Sequence, residues 1–310
     1  MADGSDSARH RNLPGRALLY MAAGVGAFAL LDAGAKWLTE MYGVAQIIFL
    51  GRVFTLGLVL AVALPRVGFG IFHTRRPWRH LARAVTSVLT MATFFWALSL
   101  MPLANVVALT FAAPLIMTVL SVVVLREDVG PRRWAAIAVG FVGVLIMLRP
   151  TGDGFDWAAL IPLASALFYA ISIIVSRQLT ATESTDNLML WVSLAAIVSS
   201  APFMPAEWKT PGPWELAVFA FTGIASGAGQ FLMLRAFRYG EVSMLAPVEY
   251  TSLIWAAALG FLLWNEIPGW PIWLGAPIVA GASFYIARRE TRRAQRQLAL
   301  QAGMPGEGAP

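Results

Sequence analysis

The chain contains no cysteine. Disulfides, thiolate nucleophiles and cysteine-based metal sites are therefore excluded. Charge is scarce too: 13% of the 310 residues are charged, against 58% hydrophobic, with a mean hydropathy of +0.67. An ordinary soluble domain carries roughly 25% charged residues. Lysine occurs only at Lys36 and Lys209, and histidine only at His10, His73 and His80, all three in basic segments expected to be aqueous. No Ser-His-Asp set, HExxH motif or phosphate loop can be assembled, so neither an enzyme nor a bound cofactor or metal is expected. GVGAFALLDAG (24–34) imitates a nucleotide loop, but it lies in an apolar run with no preceding strand.

Long apolar runs are abundant. Ten recur, at 17–38, 45–64, 81–101, 104–125, 132–149, 157–179, 187–206, 214–237, 242–264 and 271–287. Each is long enough to cross a hydrocarbon core of roughly 30 Å at about 1.5 Å per residue. The expected fold class is all-α integral membrane, with about ten transmembrane helices. The first run lacks a small-residue cleavage site and reads as a retained span.

The formal charge of +6 does not point to nucleic acid, because the arginines are not spread over a face. They cluster before span 1 (Arg9, Arg11, Arg16), between spans 2 and 3 (Arg66, Arg75, Arg76, Arg79), between 4 and 5 (Arg126, Arg132, Arg133), at the end of 8 (Arg235, Arg238) and after 10 (Arg288 to Arg296). Ten spans put all of these on one side, which the positive-inside bias makes cytoplasmic. A multi-pass protein of the inner (plasma) membrane with both termini inside is expected. The joints around Glu40, Met101, Asp153, Lys209 and Glu266 then lie outside. The terminal RRETRRAQR (288–296) serves as a topology anchor, with contact to anionic lipid as an alternative.

One phrase is written twice: Glu127, Gly130, Trp134 and Glu266, Gly269, Trp273, at a constant offset of 139 residues (266 − 127). Fainter echoes are LMPLANV (100–106) opposite YGEVSML (239–245) and KWLT (36–39) opposite RQLT (177–180). The offset spans five helices, an odd number, so two five-helix repeats inserted in opposite senses are expected. Inverted repeats are an architecture of secondary transporters, whose midplane site opens alternately to either side. The expected organisation is a tail over 1–16, repeats over 17–149 and 150–288, and a basic tail over 289–310. Within the phrase, the glycines permit turns, Pro131 and Pro271 suit the first turn of a helix, and the tryptophans suit the interface. Each glutamate is expected to face the positive end of the helix that follows it, with gating or coupling as the alternative role.

WALSLMPLANVVALTFAAPLIMTVLSVVVLRED (96–128) and its counterpart RAFRYGEVSMLAPVEYTSLIWAAALGFLLWNE (235–266) resemble the drug/metabolite transporter superfamily, of the EamA-type with ten helices. The resemblance covers roughly residues 17–288 and is specific for fold and general function. It implies a central cavity lined by spans 1, 3, 4, 6, 8 and 9, with spans 5 and 10 at the periphery. There Gly140, Gly143, Gly275 and Gly281 would permit close packing. APL (113–115) and APV (246–248) place prolines at unequal depths, so their kinks need not be equivalent. DAGAK in span 1 resembles uptake members for vitamins or nucleoside-like metabolites, of riboflavin or S-adenosylmethionine type. An exporter of amino acids or drugs is the alternative; a lipid-linked flippase or intramembrane enzyme is more remote. The expected partners are a small-molecule substrate and the lipid bilayer, with a homodimer left open.

Ionisable groups inside a span are costly and mark a substrate or ion path. Asp32 and Lys36 stand one helical turn apart, and Arg52 returns at similar depth in span 2, so a triad in the outer half is expected. It either pins two helices together or receives the substrate. Glu249, beside Tyr250 and after Pro247, is the other candidate, unless Arg235 or Arg238 neutralises it. Polar lining is expected from Thr86, Ser87, Thr90, Thr110, Tyr169, Ser172 and Gln230. Phe94, Phe95, Trp96, Phe111, Phe168 and Trp255 could stack on a flat ligand or simply pack.

Overall fold

A computed structural model describes residues 14–74, 76–125, 130–149, 156–179, 183–240 and 242–301. Among them every regular element is helical. Ten helices are long and apolar enough to cross a membrane: Gly15–Thr39, Val44–Phe72, Pro77–Leu100, Leu103–Val124, Pro131–Leu148, Trp157–Ser176, Asp186–Glu207, Pro213–Phe237, Pro247–Trp264 and Trp270–Arg289, here spans 1 to 10. The chain is a multi-pass membrane protein.

Proline starts several of these helices. Pro77, Pro131 and Pro213 each occupy the first turn, where the missing N–H has no partner to lose. Span 2 runs past its expected end at 64 through Pro65, and Arg66 Nε donates back to the Val62 carbonyl at 3.0 Å. Gly68, at φ 63°, then turns the chain into a short 3-10 segment, Gly68–Phe72. The last helix continues to Gln301, so the expected tail begins inside a helix. His80 corrects an expectation. It lies in the opening turns of span 3, 3% exposed, beside Trp191 and 3.9 Å from Glu183.

Spans 4 and 9 are broken. Span 4 consists of Leu103–Thr110 and Ala113–Leu125, and span 9 of Val242–Glu249 and Thr251–Trp264. The first pieces begin and end 139 residues apart (242 − 103 and 249 − 110). The breaks are therefore equivalent although the prolines sit at unequal depths, a question that APL and APV left open. Pro114 follows its break and Pro247 precedes its own, but each deprives one turn of a backbone donor near the same point.

The main helix pairings are span 1 on span 8, 3 on 6, 2 on 7 and 5 on 10. Exchanging each span with the one five places along leaves this set unchanged, as two like halves require. Spans 5 and 10 cross at glycine. A Cβ on Gly143 would stand 2.8 Å from the Gly275 carbonyl oxygen, and one on Gly275 would stand 2.5 Å from that of Gly143. Gly140 also packs tightly, whereas Gly281 faces open space and takes no part. Gly143→Leu is thus expected to destabilise the fold by about 1–3 kcal/mol through overpacking against rigid backbone. Gly281→Leu serves as the neutral control, and thermal unfolding of the purified protein distinguishes the two.

Candidate functional site

Of the joints that the sequence places on one side, those around Glu40, Met101, Lys209 and Glu266 meet on one face, and Asp153 lies outside the described residues. After span 9, Asn265 adopts the left-handed conformation (φ 56°), which asparagine tolerates better than most residues. The chain reverses there, and the Glu266 N–H returns to the Gly260 carbonyl at 3.1 Å. Glu266 thereby folds back under span 9. Its Oε1 lies 2.5 Å from Lys36 Nζ, and its Oε2 accepts the Leu103 N–H at 2.9 Å. Lys36 Nζ also donates to the Met101 carbonyl at 2.9 Å and sits 5.3 Å from the centre of the Trp264 ring. Trp264 Nε1 donates to Glu40. Lys209 Nζ, from the joint between spans 7 and 8, reaches the Met41 carbonyl on this face at 2.8 Å.

This geometry corrects two expectations. Lys36 does not pair with Asp32; its ammonium lies toward the face and is taken by the glutamate of the other half. Glu266 does not face the helix that follows it. It receives the first free donor of span 4, whose N-terminus opens at Leu103 because Pro102 separates it from span 3, and a carboxylate is favoured at that positive end. Of the rest of the twice-written phrase, Trp134 and Trp273 are exposed, Gly130 precedes the first turn of span 5, and Gly269 precedes span 10. Glu127 lies outside the described residues.

The centre of the fold holds the second group. Phe111 and Tyr250, the residues at the two breaks, are themselves 139 apart (250 − 111), and their rings meet edge to face at 5.3 Å. Equivalent residues touch each other only where the two halves meet. Glu249 is exposed and has no hydrogen bond or ion pair among the described residues. It is close enough to Tyr169 of span 6 and to Tyr250 to act on both electrostatically. Spans 6 and 9 are not among the principal packed pairs. Arg235 lies over the Phe231 ring at 4.6 Å and forms no ion pair with Glu249 among the described residues. The Arg238 side chain lies outside the described ones.

Asp32, half-buried on span 1, also lacks a hydrogen bond or ion pair among the described residues, and so does Gln230 on span 8. Thr110 donates to Val107 O at 2.7 Å and Thr90 to Thr86 O at 2.8 Å, which leaves their oxygens as acceptors only. Ser87 and Ser172 bond each other at 2.7 Å across spans 3 and 6.

Arg52 does not join Asp32 and Lys36, so the expected triad is not assembled. Its Nε and Nη2 instead lie 3.0 and 2.6 Å from the Met91 sulfur on span 3. Among the described residues no cluster of histidine and carboxylate side chains could hold a metal ion.

One family model, described as the EamA-like transporter family, matches residues 15–149 and again 156–288. The chain belongs to the EamA-like transporter family. Each match covers one set of five spans. Among curated relatives, a riboflavin transporter of Rhizobium johnstonii is 31% identical over 284 residues, covering 90% of this chain and 93% of the relative. An S-adenosylmethionine uptake transporter of Rickettsia bellii is 27% identical, covering 86% and 91%. A pseudopaline exporter of Pseudomonas aeruginosa is 24% identical, covering 84% and 92%. A solved crystal structure covering 89% of this chain and 98% of its own aligns at a TM-score of 0.63 with 18% identity, a likeness of fold.

Within this EamA-like chain, sequence reasoning found Lys36 and Glu266 but not their union. Span count already put Glu266, Met101 and the end of span 1 on one side, and that signal alone could have paired them. Nothing in the sequence marks the Leu103 N–H or the Met91 sulfur, because backbone donors and thioethers carry no charge.

Proposed function

We propose that this EamA-like protein is a secondary transporter that carries a small organic metabolite between its two halves by alternating access, without chemical change to the cargo. The reading is carried by the meeting of the broken spans at Phe111 and Tyr250, flanked by Glu249, whose carboxylate has no partner among the described residues. Broken helices at membrane depth are tolerated where they line a cavity, and a carboxylate facing lipid would be costly. Asp32, Tyr169, Gln230 and Thr110 complete the path, and the two five-span halves are inverted relative to each other. The relatives named for riboflavin and S-adenosylmethionine support uptake of a vitamin or nucleoside-like metabolite. Export is the second reading, favoured by the relative named as a pseudopaline exporter.

Counterflow in proteoliposomes tests this, with labelled riboflavin, S-adenosylmethionine and a set of amino acids. Saturable exchange of one compound is the expected result; flux that rises linearly with concentration for every compound would overturn the cargo class. Direction is read by imposing opposite concentration gradients on the same vesicles.

Both termini are assigned to the cytoplasm, and the Glu266 face to the exterior. The clustered arginines support this. Because the chain has no cysteine, Lys209→Cys and Phe69→Cys each supply a single thiol. A membrane-impermeant maleimide applied to intact cells should label the first and spare the second. The reverse pattern would invert the topology.

A further inference from the structure

We infer that Arg52 forms an oxyanion subsite, set apart from the carboxylates of the central path, that takes a carboxylate or phosphate group of the cargo. Arg52 lines a cleft between spans 1, 2 and 8, closed on one side by Phe95 of span 3. Its enclosed space is about 20 Å³, room for a water-sized group such as an oxygen of a terminal oxyanion.

The chemistry of the cleft is unbalanced. Arg52 brings five N–H donors, and the Met91 sulfur is the sole acceptor for them among the described residues, a thioether being a weak one. Arg83, on span 3, has its own donors met by Ser176 Oγ and the Leu188 carbonyl, each at 2.6 Å, and is near enough to repel Arg52. Among the described residues no carboxylate pairs with Arg52; Asp32 is not bonded to it although Leu31, next in sequence, lines the same cleft. Ser226 also faces the cleft, buried, and its hydroxyl has no partner among the described residues. The hydroxyls of Thr55 and Thr222, by contrast, are spent as donors to backbone carbonyls.

A guanidinium whose fork meets only a thioether, beside a hydroxyl with no partner among the described residues, suits a planar or tetrahedral oxyanion, which would displace the weaker sulfur acceptor. Arg52 lies eight residues into span 2, about 12 Å along the helix from Val44. That depth is below the headgroups and favours a soluble anion over a lipid phosphate. The subsite depends on the transport reading only for the identity of the molecule that brings the anion.

The test is thermal unfolding of purified protein at constant ionic strength with sodium acetate, inorganic phosphate, sodium chloride or neutral acetamide. Acetate and phosphate are expected to raise Tm by about 2 °C or more near saturation, and chloride and acetamide by less. Arg52→Gln should abolish the difference. Arg52→Lys, which keeps the charge and loses the fork, should shrink it. An unchanged difference in Arg52→Gln, or no difference in the parent protein, would overturn the subsite. Counterflow of S-adenosylmethionine is run separately, so a subsite without flux refutes transport of that compound alone. In the same way, flux without an anion response refutes the subsite alone.

Discussion

Glu249→Gln is expected to lower saturable counterflow by at least about tenfold while the protein still inserts and folds. The substitution keeps size and hydrogen-bonding capacity and removes the charge. A hydrogen bond to a charged group contributes about 1.5–3 kcal/mol, and about 1.4 kcal/mol is a factor of ten. No cation pairs with this carboxylate among the described residues, so a structural ion pair is not what is lost. If Glu249 also carries a coupling proton, the variant exchanges cargo without responding to a pH gradient. Asp32→Asn distinguishes the two carboxylates: the one that couples loses gradient-driven accumulation, and the one that only binds loses affinity. Unaltered driven transport in both variants would remove both residues from the mechanism.

Lys36→Met is expected to release the Glu266 face. The Lys36 side chain is 8% exposed and that of Glu266 is 21% exposed. Removing one member of a buried pair costs about 3–5 kcal/mol, because the other is left without its partner; the partial exposure of Glu266 places the effect toward the lower figure. Glu266 keeps only the Leu103 N–H, and Met101 loses the donor to its carbonyl. Since the contact joins span 1 and the start of span 4 to the joint between spans 9 and 10, its loss favours separation of the two halves there. A shift of about 1.4 kcal/mol already changes the closed population tenfold. Adding Glu266→Gln to Lys36→Met should cost far less than the two single effects combined, as expected for residues in direct contact. Strict additivity in cysteine accessibility on this face would mean that the pair does not act as a unit.

What the sequence made legible follows from what membranes punish. Apolar length reveals a span, and ten spans emerge with boundaries displaced, as where span 2 continues through Pro65 and where span 3 starts at Pro77. Odd offset and basic clusters put Met101 and Glu266 on one side, and the structure brings them together. The site was less legible. Asp32 and Lys36 share a helix face, which suggested a local pair, but sequence spacing cannot show that a carboxylate 230 residues away lies closer. His80 misled for a related reason: basic neighbours suggested water, yet the helix begins at Pro77 and carries the imidazole inward. The equivalence of the breaks at Phe111 and Tyr250 lay in the 139-residue offset all along, hidden because the prolines that accompany them sit on opposite sides of the break.

Thr110→Cys tests the account most directly. It introduces one thiol at the break of span 4 into a chain that has none, with little change in size. An impermeant maleimide is applied to vesicles of each orientation, with Lys36 and Glu266 intact and then with Glu266→Gln. The account predicts labelling from the side opposite Glu266 while the pair is intact, and from both sides once it is broken. Equal labelling from both sides regardless of the pair, or none from either side in any condition, would contradict a central path closed at the Glu266 face.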